Sequence, residues 1–326
     1  MSSPLFRLAV LNPGGNDPPQ QFDDHAGTPD DRIHPPVNYH AYAACTGGAF
    51  YKSAAAIPHD QSAVLLLIRR DIRACLKALK KLKAAGKKVA VSLKESGAHQ
   101  VAGLFSDSSR LEVFEQICAG SDGAISSTGD LVSIYRASGA RLAEFIPTPY
   151  PTDDPRWDFS IPVSQRCGVL IGTREFDVPS RNHAAALLLA RELNEPITVF
   201  NLDGRAGRKA LSAFRIPHSA IVEAPLPYTE YLRVLAQHRL VFQLDRSAVP
   251  GQVAGDALLC RVPCVGGDSA IERLAFPKWC GHGRSFTETV EIARRVLRED
   301  ASMQTVAQIS FASGAHQLEE FFRRLV

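Results

Sequence analysis

The feature that most constrains this chain is an alternation of short apolar runs with longer amphipathic stretches, which runs twice through its 326 residues. The pattern predicts a first strand over 6–11, a buried strand over Ala63–Ile68 and another strand over 89–93. Between the last two lies a helix over 71–85, with Ile72, Leu76, Leu79 and Leu82 at helical spacing and Gly86 as its stop. The beat continues with a helix over 111–119, a strand over 123–126, a helix over 129–137 ending at Gly139, and a strand over 141–146. Residues 148–164 are rich in Pro and Asp and read as a linker. The alternation then restarts: strand 167–171, helix 181–193, strand 197–201, helix 228–237, strand 240–244, helix 253–260 and strand 263–265. Closing helices are predicted over 287–298 and 316–325. Strands alternating with helices imply parallel sheets covered on both faces. The expected fold class is therefore α/β, with an N-terminal domain over 1–150, a linker over 151–166, a second domain over 167–310 and a C-terminal helix over 311–326.

Composition enters as a test of that outline. Apolar residues are 45% and charged residues 22%, enough to fill two cores and unlike a disordered or fibrous chain. The seven cysteines are odd in number and scattered, so they read as reduced, mostly buried thiols. The longest apolar run, Ala63–Ile68, is too short to cross a bilayer, and residues 1–7 have no secretory pattern, so a cytoplasmic location is expected. Lys and Arg exceed Asp and Glu by only 37 to 34, and no aromatic interrupts the one dense basic segment, over 69–88; nucleic acid is not an expected partner. That segment reads either as a solvated helix face or as a peripheral contact with anionic membrane.

Ligands of open parallel sheets bind beyond the carboxyl ends of the strands. The loops of interest are thus 12–17, 94–99, 172–181, 201–207, 245–251 and 266–269. The chain has no dinucleotide glycine fingerprint, no phosphate-binding P-loop, no His-Glu-x-x-His and no nucleophile elbow, which disfavours a nicotinamide enzyme and a P-loop hydrolase. Cys260-x-x-x-Cys264 and Cys280-Gly-His282 are too loose for zinc, so neither metal nor cofactor is expected. In the loop from Lys94, His99 can exchange a proton near neutral pH, with Glu95 to orient it; the alternative is a hydrogen-bonded loop that caps a helix. Gly14 and Gly15 either bring the first loop against a phosphate or sugar, or make an ordinary turn after Pro13. His40, in Asn38-Tyr39-His40, is a weaker site candidate, with a structural role as the favoured reading.

Ala248-Val249-Pro250-Gly251 is followed by Asp256 and then by Pro263-Cys264-Val265. Upstream lie Gly172-Thr173-Arg174 and, further on, Arg181; earlier still come Asp122, Ile125, Gly139 and Phe145-Ile146-Pro147-Thr148-Pro149. In order and spacing these residues resemble the motifs of retaining glycosyltransferases of the GT-B fold (group 1, family four), each in degraded form, over roughly residues 120–300. The resemblance implies two Rossmann-like domains facing a central cleft, and a hexosyltransferase that moves sugar from a UDP- or GDP-type nucleotide-sugar to a hydroxyl acceptor. It also implies retention of configuration and no metal. Arg174 and Arg181 would hold the diphosphate, Asp256 the ribose, and Gly251 would let backbone approach the donor. The corresponding plain readings are solvated arginines, an acid on a helix dipole and a turn glycine. Phe321 and Phe322 would carry the last helix back onto the first domain. One departure stands out: Ala248 occupies a position where the family has Glu. Either a neighbouring acid (Asp245 or Asp268) replaces it, the donor sugar differs, or the chain binds without catalysing. The rival readings are accordingly a decayed nucleotide-sugar-binding protein and a sugar-nucleotide epimerase.

Overall fold

The structure, a computed structural model, describes residues 6–29, 34–172, 176, 178–223, 225–299 and 306–325. The chain divides into two compact units, Met1–Asp154 together with Ala307–Val326, and Pro155–Val306.

Unit 1 contains β1 (Ala9–Leu11), β2 (Gln20–Gln21), α1 (Asn38–Ala44), β3 (Ala49–Tyr51), β4 (Ala63–Ile68), α2 (Ile72–Ala84), β5 (Lys88–Leu93), α3 (Ala98–Phe105), α4 (Ser108–Gly120), β6 (Gly123–Ser126), α5 (Val132–Ala137) and β7 (Ala143–Phe145). Its sheet runs β2-β3-β1-β4-β5-β6-β7 and is parallel except for β2, which is antiparallel to β3. Every residue of β4 is buried, as a central strand covered on both faces requires. It pairs with β5 from Ala63 against Lys88 to Ile68 against Leu93. The Asp71 side chain caps α2 by accepting from the Ala74 amide at 3.0 Å. Ile72, Cys75, Leu79 and Leu82 then turn inward. Each buried Ile or Leu there contributes about 1.5–3 kcal/mol.

Unit 2 contains β8 (Val169–Ile171), α6 (His183–Ala190), β9 (Ile197–Asn201), α7 (Gly204–Ala213), β10 (Ile221–Glu223), α8 (Tyr228–Ala236), β11 (Leu240–Phe242), α9 (Gln252–Leu259), β12 (Cys264–Val265), α10 (Ala270–Ala275) and α11 (Phe286–Glu299). The order is β10-β9-β8-β11-β12, parallel throughout. Its core gathers Val169, Ile171, Leu187, Val199, Leu240, Phe242, Val290 and Val296. The segment expected to link the domains contributes to this unit: Trp157 is buried, and the Phe159 amide donates to the Leu259 carbonyl at 2.9 Å.

The last helix, α12 (Phe311–Arg324), belongs to unit 1. Phe321 and Phe322 are buried, Phe322 lies 5.6 Å from the Phe6 ring, and Arg324 makes a two-pronged contact with Glu144 at 2.6 Å. Lys88 Nζ donates to the Leu325 carbonyl at 2.6 Å.

α1, β2, β3, α3, α7, β10 and α10 were not anticipated. Most are short, and α7 carries Gly204 and Gly207, which hide a helix from a propensity reading. All seven cysteines are free thiols, buried except Cys167. Among the described residues no helix is long and apolar enough to cross a membrane. Part of the basic segment is already engaged: Lys83 with Asp122, and Lys87 with the carbonyls of Pro58 and His59. Arg73, Lys77, Lys80 and Lys81 remain exposed.

Candidate functional site

In each sheet the direction of strand addition reverses once. Unit 1 reverses at β1, which has β3 on one side and β4 on the other; unit 2 reverses at β8, between β9 and β11. Such reversals open a crevice at the carboxyl ends of the strands, because the connecting segments leave on opposite faces.

At the unit 1 crevice the loop after β1 begins with Asn12, which is fully buried. Gly14 sits at φ +65° with open space around it. Gly15 packs so closely that a Cβ there would collide with the Asn12 amide and lie 2.7 Å from Arg69 Nη1. Arg69 follows the end of β4, so the loop and the strand end meet at this point. Asn12 Nδ2 donates to Asp17 Oδ2 at 2.9 Å, and Lys94, following β5, reaches the same oxygen at 3.1 Å. Burial works against the Asp17 carboxylate, but the charge and hydrogen bond of Lys94 hold its pKa below the ordinary value. Beneath lies a hydroxyl network. The Tyr39 hydroxyl donates to the Leu93 carbonyl at 2.5 Å and lies 2.9 Å from Ser92 Oγ, while Ser96 Oγ is 3.2 Å from Ser127 Oγ. His40 stacks between His34 and Phe50 at 3.8 and 3.7 Å; burial first, then His34, lowers its pKa to about 3, so the ring is neutral. Of the two predicted catalytic residues, Glu95 is 3.8 Å from Arg70 Nε. His99 is exposed on the first turn of α3.

The unit 2 crevice is assembled differently. Gly172 follows β8, and a Cβ there would lie 2.8 Å from Val253 Cγ1, so the first turn of α9 comes hard against the sheet. Gly251 precedes α9 at φ +103°, where a Cβ would strike Ser269 Oγ; only glycine satisfies both conditions. No side chain caps α9. In the loop after β11, Asp245 Oδ1 accepts from the Ser247 amide at 2.7 Å, and Arg181 Nε lies 3.8 Å from Asp245 Oδ2. Ala248 adopts φ +50°, unusual for a residue with a side chain. The loop after β12 runs alongside, with the Asp268 amide donating to the Asp245 carbonyl at 2.8 Å. The Asp268 carboxylate is held by Arg273 at 2.6 Å and His282 at 3.1 Å. Asp256 is fully buried in α9, where the Tyr228 hydroxyl donates to its Oδ1 at 2.5 Å. Arg174 lies outside the described residues.

The structure therefore brings Gly14 and Gly15 to one crevice, and Arg181 and Gly251 to the other. Sequence reasoning passed over Arg69 and Asp17 as site residues, and it named Asp268 and His282 without the contact between them. It also passed over Glu272, a fully buried carboxyl whose pKa burial raises, although Gln243 and the Ser269 amide donate to it at 2.8 and 2.9 Å. Among the described residues no group of three or more His, Cys, Asp or Glu side chains is placed to hold a metal ion.

Two parallel-sheet α/β units, with the closing helix belonging to the first, are the GT-B fold of glycosyltransferases. No protein-family model matches the chain, and no curated protein matches it in sequence. Its fold is shared with HepE from Anabaena, solved in complex with UDP, at a TM-score of 0.58 and 12% identity over 98% of this chain and 96% of that one. An alpha-glucosyltransferase solved with UDP-glucose and DNA containing an abasic site matches with a TM-score of 0.57 and 10% identity, over 98% and 95% of the two chains. Sucrose-phosphate synthase from Thermosynechococcus elongatus matches at 0.56 and 14%, over 97% and 94%.

Proposed function

We propose that this protein is a glycosyltransferase that moves a hexosyl group from a UDP- or GDP-type nucleotide-sugar to a hydroxyl acceptor, with retention of configuration. The observation that carries this reading is the unit 2 crevice, where Arg181 and the uncapped first turn of α9 behind Gly251 gather beside the end of β8 in a GT-B fold. A departing nucleoside diphosphate builds negative charge. Arginine and helix N-terminal amides neutralise it, and in this reading they do so in place of a metal. Arg174 would join Arg181 on the diphosphate. For Asp256 to hold the ribose, its fully buried carboxylate, which accepts from the Tyr228 hydroxyl at Oδ1, must become accessible to the sugar. In unit 1, Gly14 and Gly15 would approach the donor, and His99, with Glu95, would meet the acceptor hydroxyl. No bound cofactor is required: the nucleotide-sugar is the substrate. The exposed cations Arg73, Lys77, Lys80 and Lys81 of α2 would rest on anionic membrane if the acceptor is lipid-borne.

Thermal unfolding with UDP, GDP, ADP, TDP and their sugar conjugates tests the donor site. A ligand at a hundred times its Kd adds about 2.7 kcal/mol, or several degrees in Tm. One nucleotide is expected to stand out, and Arg181→Gln is expected to weaken its binding about tenfold or more. Failure of every nucleotide to raise Tm removes the donor assignment. Ala248 favours a second reading, a protein that binds the nucleotide-sugar without transferring it, since alanine offers a sugar hydroxyl no side-chain partner. Nucleotide binding without acceptor-dependent release of nucleoside diphosphate would select that reading.

A further inference from the structure

We propose that unit 1 carries an anion-binding subsite of its own, with Arg69 as the residue that takes the charge. Arg69 follows β4, next to β1, at the one place where strand addition in this sheet reverses. Arg69 is half-buried, and among the described residues its guanidinium has no hydrogen-bond or ion-pair partner; the residue's hydrogen bond is made by the backbone amide, to Cys75 Sγ at 3.4 Å. The neighbouring cations are spent: Lys94 on Asp17, Arg70 on Glu95. Gly15 lets the first loop close on that guanidinium, since a Cβ there would lie 2.7 Å from Arg69 Nη1 and 2.2 Å from Asn12 Nδ2. In the same corner Asn12 is fully buried, and its Oδ1 has no partner, an acceptor left for a hydroxyl. A planar fork of donors with no counter-charge, at a crevice where parallel sheets bind ligands, is suited to a phosphate or carboxylate.

The anion has two possible sources, the acceptor or the diphosphate of the donor, and only this choice rests on the glycosyl-transfer reading. The test is equilibrium binding to the full chain at fixed ionic strength, with inorganic phosphate, UDP and GDP as probes. Wild-type protein is expected to bind phosphate, and Arg69→Gln to weaken that binding about tenfold or more, as loss of a charge-assisted hydrogen bond implies. Arg69→Lys keeps the charge without the fork and should fall between. Both variants should keep the wild-type circular dichroism and Tm, because the guanidinium holds nothing in the fold. Phosphate bound in unit 2 persists in Arg69→Gln and is removed by Arg181→Gln. If Arg69→Gln weakens UDP or GDP by a similar factor, the anion is the diphosphate. If phosphate binding is lost while nucleotide binding is unchanged, the anion belongs to the acceptor. Phosphate binding that depends on Arg69 in a protein that binds no nucleotide upholds the subsite and removes the donor reading. Equal binding of all three probes by wild type and Arg69→Gln, or no binding of phosphate with nucleotide binding unchanged, overturns the proposal.

Discussion

The two crevices occupy equivalent places in their sheets and are held open by different forces. In unit 1 the strand ends are tied by neutral hydroxyls (Tyr39, Ser92, Ser96 and Ser127) and by one carboxylate, Asp17, shared between Asn12 and Lys94. In unit 2 the loops are drawn together by backbone contact at Gly172 and Gly251 and by acid–base pairs, Arg181 with Asp245 and Arg273 and His282 with Asp268. A neutral framework costs little to bury and leaves the charge of Arg69 uncommitted. A framework of ion pairs commits its charges to each other, so an anion arriving at Arg181 must compete with Asp245. Salt should accordingly weaken anion binding in both units, and it should loosen the frame more in unit 2, where ion pairs are more numerous than the single Asp17–Lys94 pair of unit 1.

The comparison can be broken most forcefully at its foundation, the assumption that each unit has its own core. Both tryptophans, Trp157 and Trp279, lie in unit 2, so tryptophan fluorescence follows that unit and circular dichroism follows both. Phe321→Ala empties a fully buried site in unit 1 and should cost about 3–5 kcal/mol. The dichroism transition should move to lower denaturant while the fluorescence transition stays; equal movement of the two would make the chain one cooperative block. Gly251→Ala does the reverse. It places a side chain at φ +103° against Ser269 and should cost roughly 1–3 kcal/mol, read this time in the fluorescence, with the nucleotide-induced rise in Tm lost as well.

Acid titration sharpens the contrast more gently. Burial depresses the pKa of His183, in α6 of unit 2, from 6.5 to about 4, and that of His40 in unit 1 to about 3. Both rings are neutral in the folded chain and gain protons first in the unfolded one. Their contribution is complete above pH 6.5 and is lost as pH falls toward 4 and 3. His183→Leu should flatten the acid limb of the fluorescence transition, and His40→Phe that of the dichroism signal. An unaltered slope would mean that the imidazole finds a counter-charge as it protonates.

Much of the frame was legible in the residues. Ala63–Ile68 could only be a doubly covered strand, and the spacing of Ile72, Leu79 and Leu82 gave α2 within one residue at each end. Asn38–Ala44 escaped because its seven residues make too few turns for a period, and Gly204 and Gly207 disguised α7 as loop. The site was legible only in part. Gly15 was singled out, but the reason for it, the approach of Arg69, was not. Arg69 stands at the head of a run of lysines and arginines, and composition assigns it to that run. Its distinction is positional: it is the first residue past a buried strand, and only strand order reveals that this end faces β1. Asp268 and His282 are fourteen positions apart, a separation with no local signature.

The return of α12 to unit 1 has a bearing on how the molecule is made. Unit 2 is spliced into unit 1, so about 150 residues are translated between Asp154 and the segment that finishes the first core. At typical elongation rates that interval lasts roughly 8–30 s. During it the surfaces that later receive Phe321 and Phe322 stand uncovered while unit 2, whose sequence is continuous, can already close. The N-terminal half is thus the last to mature, and it is the half in which a chaperone would find its grip.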